Sequence, residues 1–338
     1  MIELVMALAV SFFSTIFITP KIIRYFKLVG ITTRDVHKKE MPLIPSSAGV
    51  AVVIGLVAGL LFYIFLRTFV YNNRTGLELF AAITTVLIAM FGGFLDDLNI
   101  RQKRVGGYVE GKSGLRAGQK LLLTLPVAIP LMVIMAGNST MNIPLMGKVN
   151  FGIFYPLFIV PIGVICTANM VNMLGGFNGL EAGMGLVYTS SLGVFALMHG
   201  EVIATVLLLT TSAALIAILK YNWTPAKILP GDSMTYVLGA VVATSAILGN
   251  MEKAAIIAMI PFIAQGILKF YARFKLGRFP SDMGVLQKDG TIKSKYDGKI
   301  YSWTHLVMNM GNFSEKKIVL AMMGIQLIFS LIPFLNIL

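Results

Sequence analysis

Apolar runs of 17 to 24 residues recur along the whole chain, each closed by charges or by a Gly, Pro or Asn turn. They fall at residues 3–20, 47–70, 77–95, 121–137, 151–169, 180–199, 203–220, 234–250, 255–272 and 317–338. A helix needs about 20 residues to cross the hydrocarbon of a bilayer, and one soluble core cannot bury ten such runs. The pattern predicts an all-α polytopic membrane protein with about ten transmembrane helices. No soluble domain, internal repeat or low-complexity tract interrupts it, so residues 1–338 read as one integral membrane domain. The first run follows Met1-Ile2-Glu3 with neither a basic start nor a small-residue cleavage pattern. It is expected to stay as a helix rather than be removed as a signal peptide.

Composition agrees with the pattern: 57% of residues are apolar, 13% are charged, and mean hydropathy is +0.81. Soluble domains carry about a quarter charged residues. The net charge of +13 could suggest nucleic acid, but the basic residues sit in the gaps between apolar runs. If the first loop is cytoplasmic, 24 of the 28 Lys and Arg fall in segments 21–46, 96–120, 220–233 and 269–317. Only Arg67, Arg74, Lys148 and Lys253 remain outside. The positive-inside rule then places both termini outside. Loops 21–46, 96–120, 170–180, 220–233 and 273–316 lie in the cytoplasm on that reading. The single cysteine, Cys166, excludes an intrachain disulfide and a cysteine-rich metal site.

Acids and amides gather where apolar runs meet cytoplasmic loops. Asp96 and Asp97 follow one run directly, with Arg101, Lys103, Arg104 and Lys120 nearby. Adjacent carboxylates at membrane depth suit Mg²⁺ or proton handling, and acids beside bases suit a phosphate substrate that arrives with a metal. Asn169 and Asn172 are three apart, which offers two amides on one helix face. Gly175, Gly176, Asn178, Gly179 and Glu181 follow in a turn where backbone can approach a ligand closely. Asp232, in Pro230-Gly231-Asp232-Ser233, precedes another run and reads either as a helix cap or as a metal ligand. Gly284 to Lys293 holds Asp289-Gly290 between short alternating arms, which predicts a hairpin in the last cytoplasmic loop. Transport is the competing class, and helix centres almost free of charge argue against it.

Taken in order, these clusters resemble the polyprenyl-phosphate N-acetylhexosamine-1-phosphate transferases, of glycosyltransferase family 4 type. They are most similar to the dolichyl-phosphate GlcNAc-1-phosphate transferase branch, in an archaeal form. The resemblance rests on Ile44-Pro45-Ser46-Ser47-Ala48-Gly49, Asp96-Asp97, Lys120, the Asn172 to Gly183 segment, and Asn222-Trp223 followed by Gly231-Asp232-Ser233. It implies transfer of GlcNAc-1-phosphate from a UDP-sugar to dolichyl or another polyprenyl phosphate, releasing UMP. That is the first step of the lipid-linked oligosaccharides of protein N-glycosylation.

By the same resemblance Asn172 and Asp232 are the ligands of Mg²⁺, for which Mn²⁺ can substitute, and Lys120 binds the diphosphate. Asp96 and Asp97 are the paired acids, acting as base, metal-site partner or nucleophile. Asn178 reads the uracil, Asp35, Val36 and Lys38 form another wall of the nucleotide pocket, and Arg278 grips the sugar diphosphate. Asn169, Gly176 and Glu181 complete the substrate-binding positions. Membrane lipid is a partner, nucleic acid is not, and a homodimer is compatible with the family. The enzyme would sit in the cell membrane, or the endoplasmic reticulum of a eukaryote, with its active site cytoplasmic.

Departures from the family pattern refine the branch. Bacterial members carry aspartates where Gly175 and Asn178 stand, and a histidine-rich motif that Arg273 to Tyr301 lacks. An undecaprenyl-phosphate enzyme, including the phospho-MurNAc-pentapeptide type, is therefore the second choice. Within the dolichyl branch, Gly277, Leu229 and Ser46 replace a histidine, an aromatic residue and a glutamate. His37 reads as a solvated loop residue or as a phosphate or metal contact, and His199 and His305 receive no role.

The charge split makes a direct prediction. In a Cys166→Ser background, an impermeant thiol reagent should label Lys148→Cys from outside intact cells and Lys288→Cys only after permeabilisation. Labelling of position 288 in intact cells would invert the topology.

Overall fold

The computed structural model describes all residues except 74–75, 99–100, 106–107, 114, 116, 144–146 and 336–338, and backbone alone for 101–105, 108–113, 117 and 142–143. Arg74 and Arg116 thus lie outside the described residues, and the side chains of Arg101, Lys103 and Arg104 outside the description. The chain is mostly helical: α1 (Ile2–Val29), α2 (Gly49–Phe65), α3 (Leu77–Leu98), α4 (Ala117–Thr124), α5 (Ile129–Val133), α6 (Val160–Asn172) and α7 (Leu180–Met198). α8 (Val202–Asn222), α9 (Asp232–Leu248), α10 (Glu252–Ala258), α11 (Ile260–Leu276), α12 (Trp303–Asn309) and α13 (Glu315–Leu331) follow. Helix is the expected outcome for such runs, because hydrocarbon offers no partner to an unpaired backbone group.

Among the described residues seven helical segments, or eight if α10 and α11 form one bent span, are long and apolar enough to cross a membrane, against the ten expected. The two remaining runs, Gly118–Val133 and α9, are apolar helices of 17 residues or fewer. Pro126 and Pro130 explain the first, breaking it into α4, a 3₁₀ turn at Leu125–Ala128 and α5. α9 is continuous but only about 25 Å long at 1.5 Å per residue. Both still join the two ends of the bundle: Lys120 lies beside Asp232 at one end, and Gly137 packs against Tyr155 and Ile247 at the other. The α10–α11 pair bends by 58° just before Pro261. There Gln326 Nε2 donates to the Ala258 carbonyl (2.8 Å), one that no regular helix hydrogen bond would reach.

Element boundaries also shift. α1 continues through Pro20 into the expected loop 21–46, because Ile22 and Phe26 bury one face while Lys21, Arg24 and Lys27 leave the other polar. Counting apolar runs stops at the first charge, but an amphipathic helix does not. The predicted hairpin forms as β7 (Val285–Leu286) and β8 (Ile292–Lys293) around Asp289-Gly290. The exposed Asp289 carboxylate accepts from Thr291 Oγ1 (2.7 Å) and Thr291 N (3.0 Å), which hold its pKa below the ordinary carboxylate value. Three further antiparallel hairpins join β1 (Thr32–Arg34) to β2 (Leu43–Pro45), β3 (Arg101–Val105) to β4 (Tyr108–Ser113), and β5 (Thr140–Ile143) to β6 (Gly147–Asn150). Their arms are too short to show a period in sequence.

α9 is the axis of the bundle, with Ser233 through Ile247 all buried. Small residues let its neighbours reach it. A Cβ on Gly93 of α3 would lie 2.3 Å from the Asp232 carbonyl oxygen, and one on Gly49 of α2 would lie 2.4 Å from Met234 N. Such backbone approach is how membrane helices gain contact where lipid supplies no hydrophobic drive. At one end of the bundle the loops expected in the cytoplasm converge. At the other, Arg67 pairs with Glu3 (3.2 Å) and Tyr155 donates to Glu252 (2.6 Å).

Gly93→Ala should therefore destabilise the protein by about 1–3 kcal/mol through overpacking against backbone. Gly163→Ala in α6, with no atom within 4 Å of the added Cβ, should be neutral or stabilising by about 0.5–1 kcal/mol. Thermal unfolding in detergent separates the two, and equal melting temperatures would contradict the α3–α9 contact.

Candidate active site

At one end of the bundle a cavity of about 470 Å³ opens between the β1–β2 loop, the α6–α7 turn, the start of α9, Lys269 of α11 and residues 280–283. Its floor is set by the first turn of α9. The initial N–H groups of a helix have no partner within the helix, and here they are buried. Asp97 supplies what is missing: Oδ1 accepts from Asp232 N (2.7 Å), and Oδ2 accepts from Ser233 N (3.2 Å) and Ser47 Oγ (2.7 Å). Gly231 permits this fit, with φ of +70° and no room for a Cβ, which would lie 2.3 Å from Asp97 Oδ2. The two readings of Asp232 are thereby separated. Asp97 caps α9 from another helix, and the residue at the N-cap position is Gly231, one before Asp232.

Asp232 instead faces Lys120. Lys120 Nζ donates to Asp232 Oδ2 (2.6 Å) and lies 2.5 Å from Asp96 Oδ2, while Asp96 Oδ1 accepts from Leu115 N (2.9 Å). Asn172 Nδ2 approaches Asp232 Oδ2 at 3.4 Å, and its Oδ1 accepts from Thr235 Oγ1 (2.9 Å). Asp96, Lys120, Asn172 and Asp232, predicted from three separate loops, thus form one centre, with Asp232 and Asn172 lining the cavity and Asp96 buried behind. Among the described residues no three His, Cys, Asp or Glu side chains meet at one point. The set here is two carboxylates and an amide. Hard oxygen donors suit Mg²⁺, and an ammonium already held by two carboxylate oxygens marks a point negative enough for a cation, so the residues fit the metal expected there.

A second wall is built around Asn178. Its Nδ2 donates to Asp35 Oδ2 (2.8 Å) and its backbone N to Glu315 Oε1 (2.9 Å). Lys38 bridges Asp35, at 3.6 Å, and Glu315. Val36 lines the cavity, and Glu181 accepts from Gly176 N (2.8 Å), which holds the glycine turn closed. His37 is not solvated as a loop histidine would be. It is 4% exposed, stacked on Phe177 at 4.6 Å and 3.7 Å from Glu315.

The third wall comes from α11 and the segment after it. Lys269, 6% exposed, pairs with Asp282 (2.7 Å) and donates to the Pro280 carbonyl (2.8 Å). Gln265 Nε2 ties Asp282 (2.9 Å) to the Met173 carbonyl (3.0 Å). His305, given no role from sequence, pins this wall. Its Nδ1 accepts from Tyr301 N (3.3 Å) and its Nε2 donates to the Ser281 carbonyl (2.9 Å). Burial pushes its pKa down and favours the neutral ring that this pattern needs.

Two predicted residues stand apart. Asn169 spends its amide within the bundle, donating to Thr124 Oγ1 (3.0 Å) and the Ile165 carbonyl (2.8 Å), so it holds helices together rather than facing the cavity. The three-residue spacing puts it one turn back from Asn172, deeper in the bundle. Arg278 is exposed on the turn after α11, two residues before the cavity wall begins at Pro280. Glu315, Lys269 and Asp282 were missed. Lys269 and Glu315 sit at the ends of apolar runs, where a charge reads as topology. A buried acid opening a helix that continues Lys316-Lys317 was the one available signal.

Comparison with known proteins agrees on one family. The sequence pattern of glycosyl transferase family 4 matches residues 79–250. A Saccharolobus solfataricus protein, provisionally named UDP-N-acetylglucosamine–dolichyl-phosphate N-acetylglucosaminephosphotransferase, is 34% identical over 98% of this chain and 96% of its own. The Dictyostelium discoideum protein of that name is 29% identical over 69% of this chain and 63% of its own. The phospho-N-acetylmuramoyl-pentapeptide-transferase of Clostridium perfringens is 26% identical over 81% and 85%.

The geometry separates the paired aspartates experimentally. Asp97→Ala leaves two buried N–H groups unpaired and should cost about 1–3 kcal/mol of stability. Asp232→Ala leaves Lys120 with Asp96 and should melt close to wild type. A Tm loss of equal size in both would contradict the assignment of Asp97 as the cap.

Proposed function

Since this chain belongs to glycosyl transferase family 4, we propose that it transfers GlcNAc-1-phosphate from UDP-GlcNAc to dolichyl or a related polyprenyl phosphate, releasing UMP. The observation that carries the reading is the Asp96–Lys120–Asp232 centre beside the cavity, at the bundle end where the basic loops gather. A water-soluble anion and a lipid headgroup meet at such a membrane face, and neither has to cross. All ten apolar runs, on this reading, traverse the membrane, with both chain ends outside and the cavity in the cytoplasm, as the charge distribution requires.

An oxygen of the lipid phosphate attacks the sugar-bearing β-phosphorus. The new P–O bond forms as the bond to the bridging oxygen breaks, and that oxygen leaves with UMP. Both reactants are anions, so neutralising charge is the main demand. Lys120 turns from its two carboxylates toward the diphosphate, and Arg278 extends a planar fork to the sugar diphosphate. Asp232 and Asn172 would hold Mg²⁺, or Mn²⁺, which supplies Lewis-acid stabilisation of the leaving phosphate. Asp96 orients the lipid phosphate, which is already ionised at neutral pH. At the far wall Asn178 reads the uracil with Val36 beside it, while Glu181 holds the Gly175–Gly179 turn in shape beside the ligand.

Purified protein should release UMP from UDP-GlcNAc only when polyprenyl phosphate and Mg²⁺ or Mn²⁺ are both present, and EDTA should stop it. A panel of UDP-sugars with dolichyl and undecaprenyl acceptors identifies the branch. UMP release without lipid would sink the mechanism.

A further inference from the structure

The last helix carries none of the motifs, yet its first residue reaches the wall that holds Asn178. We propose that Glu315 is a positioning residue that sets Asn178 and the 35–38 loop as one surface for the uracil; this deepens, and rests on, the reading of the cavity as a UDP-sugar site. Glu315 is 6% exposed. It joins Asn178, 137 positions away, to Lys38, 277 positions away. Its two oxygens have separate tasks: Oε1 accepts the Asn178 backbone N–H at 2.9 Å, and Oε2 takes the Lys38 ammonium. Lys38 in turn reaches Asp35 at 3.6 Å, and Asp35 accepts from Asn178 Nδ2 at 2.8 Å.

The result is a closed ring of Glu315, Lys38, Asp35 and Asn178. Inside it the Asn178 backbone and side chain are each fixed by a different carboxylate. One amide hydrogen goes to Asp35, and the other, with the amide oxygen, suits the donor–acceptor edge of a uracil. Without Glu315 the Asn178 N–H is left unpaired in a buried site, and Lys38 is drawn wholly to Asp35, in competition with the Asn178 amide. The phosphate-binding centre at Lys120 shares no atom with this ring. Loss of Glu315 should therefore weaken nucleotide binding and spare the chemical step.

Glu315→Ala is expected to raise both the KM for UDP-GlcNAc and the calorimetric Kd for UMP about tenfold, with kcat within about twofold of wild type. Glu315→Gln keeps an acceptor for Asn178 but loses the charge opposite Lys38, and should fall between the two. A helix that merely docks would lower Tm and leave KM and Kd unmoved. Unchanged KM and Kd in the alanine variant overturn the proposal, and so does a fall in kcat at constant KM. If the alanine variant does not fold, the glutamine variant decides by the same test: a raised UMP Kd supports the proposal and an unchanged one overturns it. Wild-type protein that fails to bind UMP would remove the UDP-sugar reading itself. Wild-type binding matched by both variants would remove only the role of Glu315.

Discussion

Asp97 lends its carboxylate to the first turn of α9, and the geometry of the site follows from that loan. α9 is buried along nearly its whole length, so its leading N–H groups cannot turn to water. A carboxylate from α3, aided by Ser47 at the head of α2, satisfies them across helix boundaries. Three helix ends are thereby locked together at one membrane face. The close approach of Gly93 and Gly49 to the α9 backbone makes the same junction sterically possible. Because the cap comes from outside, Asp232 is released from the role that its place at the helix start suggests, and its carboxylate turns to Lys120.

The cavity shows a second regularity. Among the described residues, each lysine at its edge already has an internal acid: Lys120 has Asp96 and Asp232, Lys38 has Glu315 and Asp35, and Lys269 has Asp282. Buried charges are tolerated when paired and costly when stranded. An anionic ligand must therefore exchange with an internal carboxylate rather than fill a vacant positive pocket. At the Lys120 centre such an exchange would leave two carboxylates, Asp96 and Asp232, without their shared ammonium. At the Asn178 wall the ion pairs of Lys38 with Glu315 and Asp35 hold the loop and the turn together.

The membrane class, the helical content and the hairpin at Asp289-Gly290 were legible in the residues alone, and so was the choice of Asp96, Lys120, Asn172, Asn178 and Asp232, which the structure brings together at one end of the bundle. Their legibility has a physical source. Hydrocarbon forces long apolar runs into helices, charge asymmetry reports sidedness, and carboxylates or amides at membrane depth are too costly to stand there without a use. Tertiary structure alone decided how the acids divide their work. Asp96 and Asp97 are adjacent in sequence and point to different partners, one to a lysine and one to a helix end. Asn169 and Asn172 share a helix face, but one turn of rise puts the first among packed helices and the second at the cavity. Glu315 and Lys269 belong to the site only because α13 and α11 end beside it, and a charge at the end of an apolar run looks the same in sequence whether it faces solvent or a ligand. Local rules fix which residues are costly to bury; which partner satisfies each one depends on tertiary contacts, some of them, as in Asp97–Asp232 and Glu315–Asn178, more than a hundred residues apart.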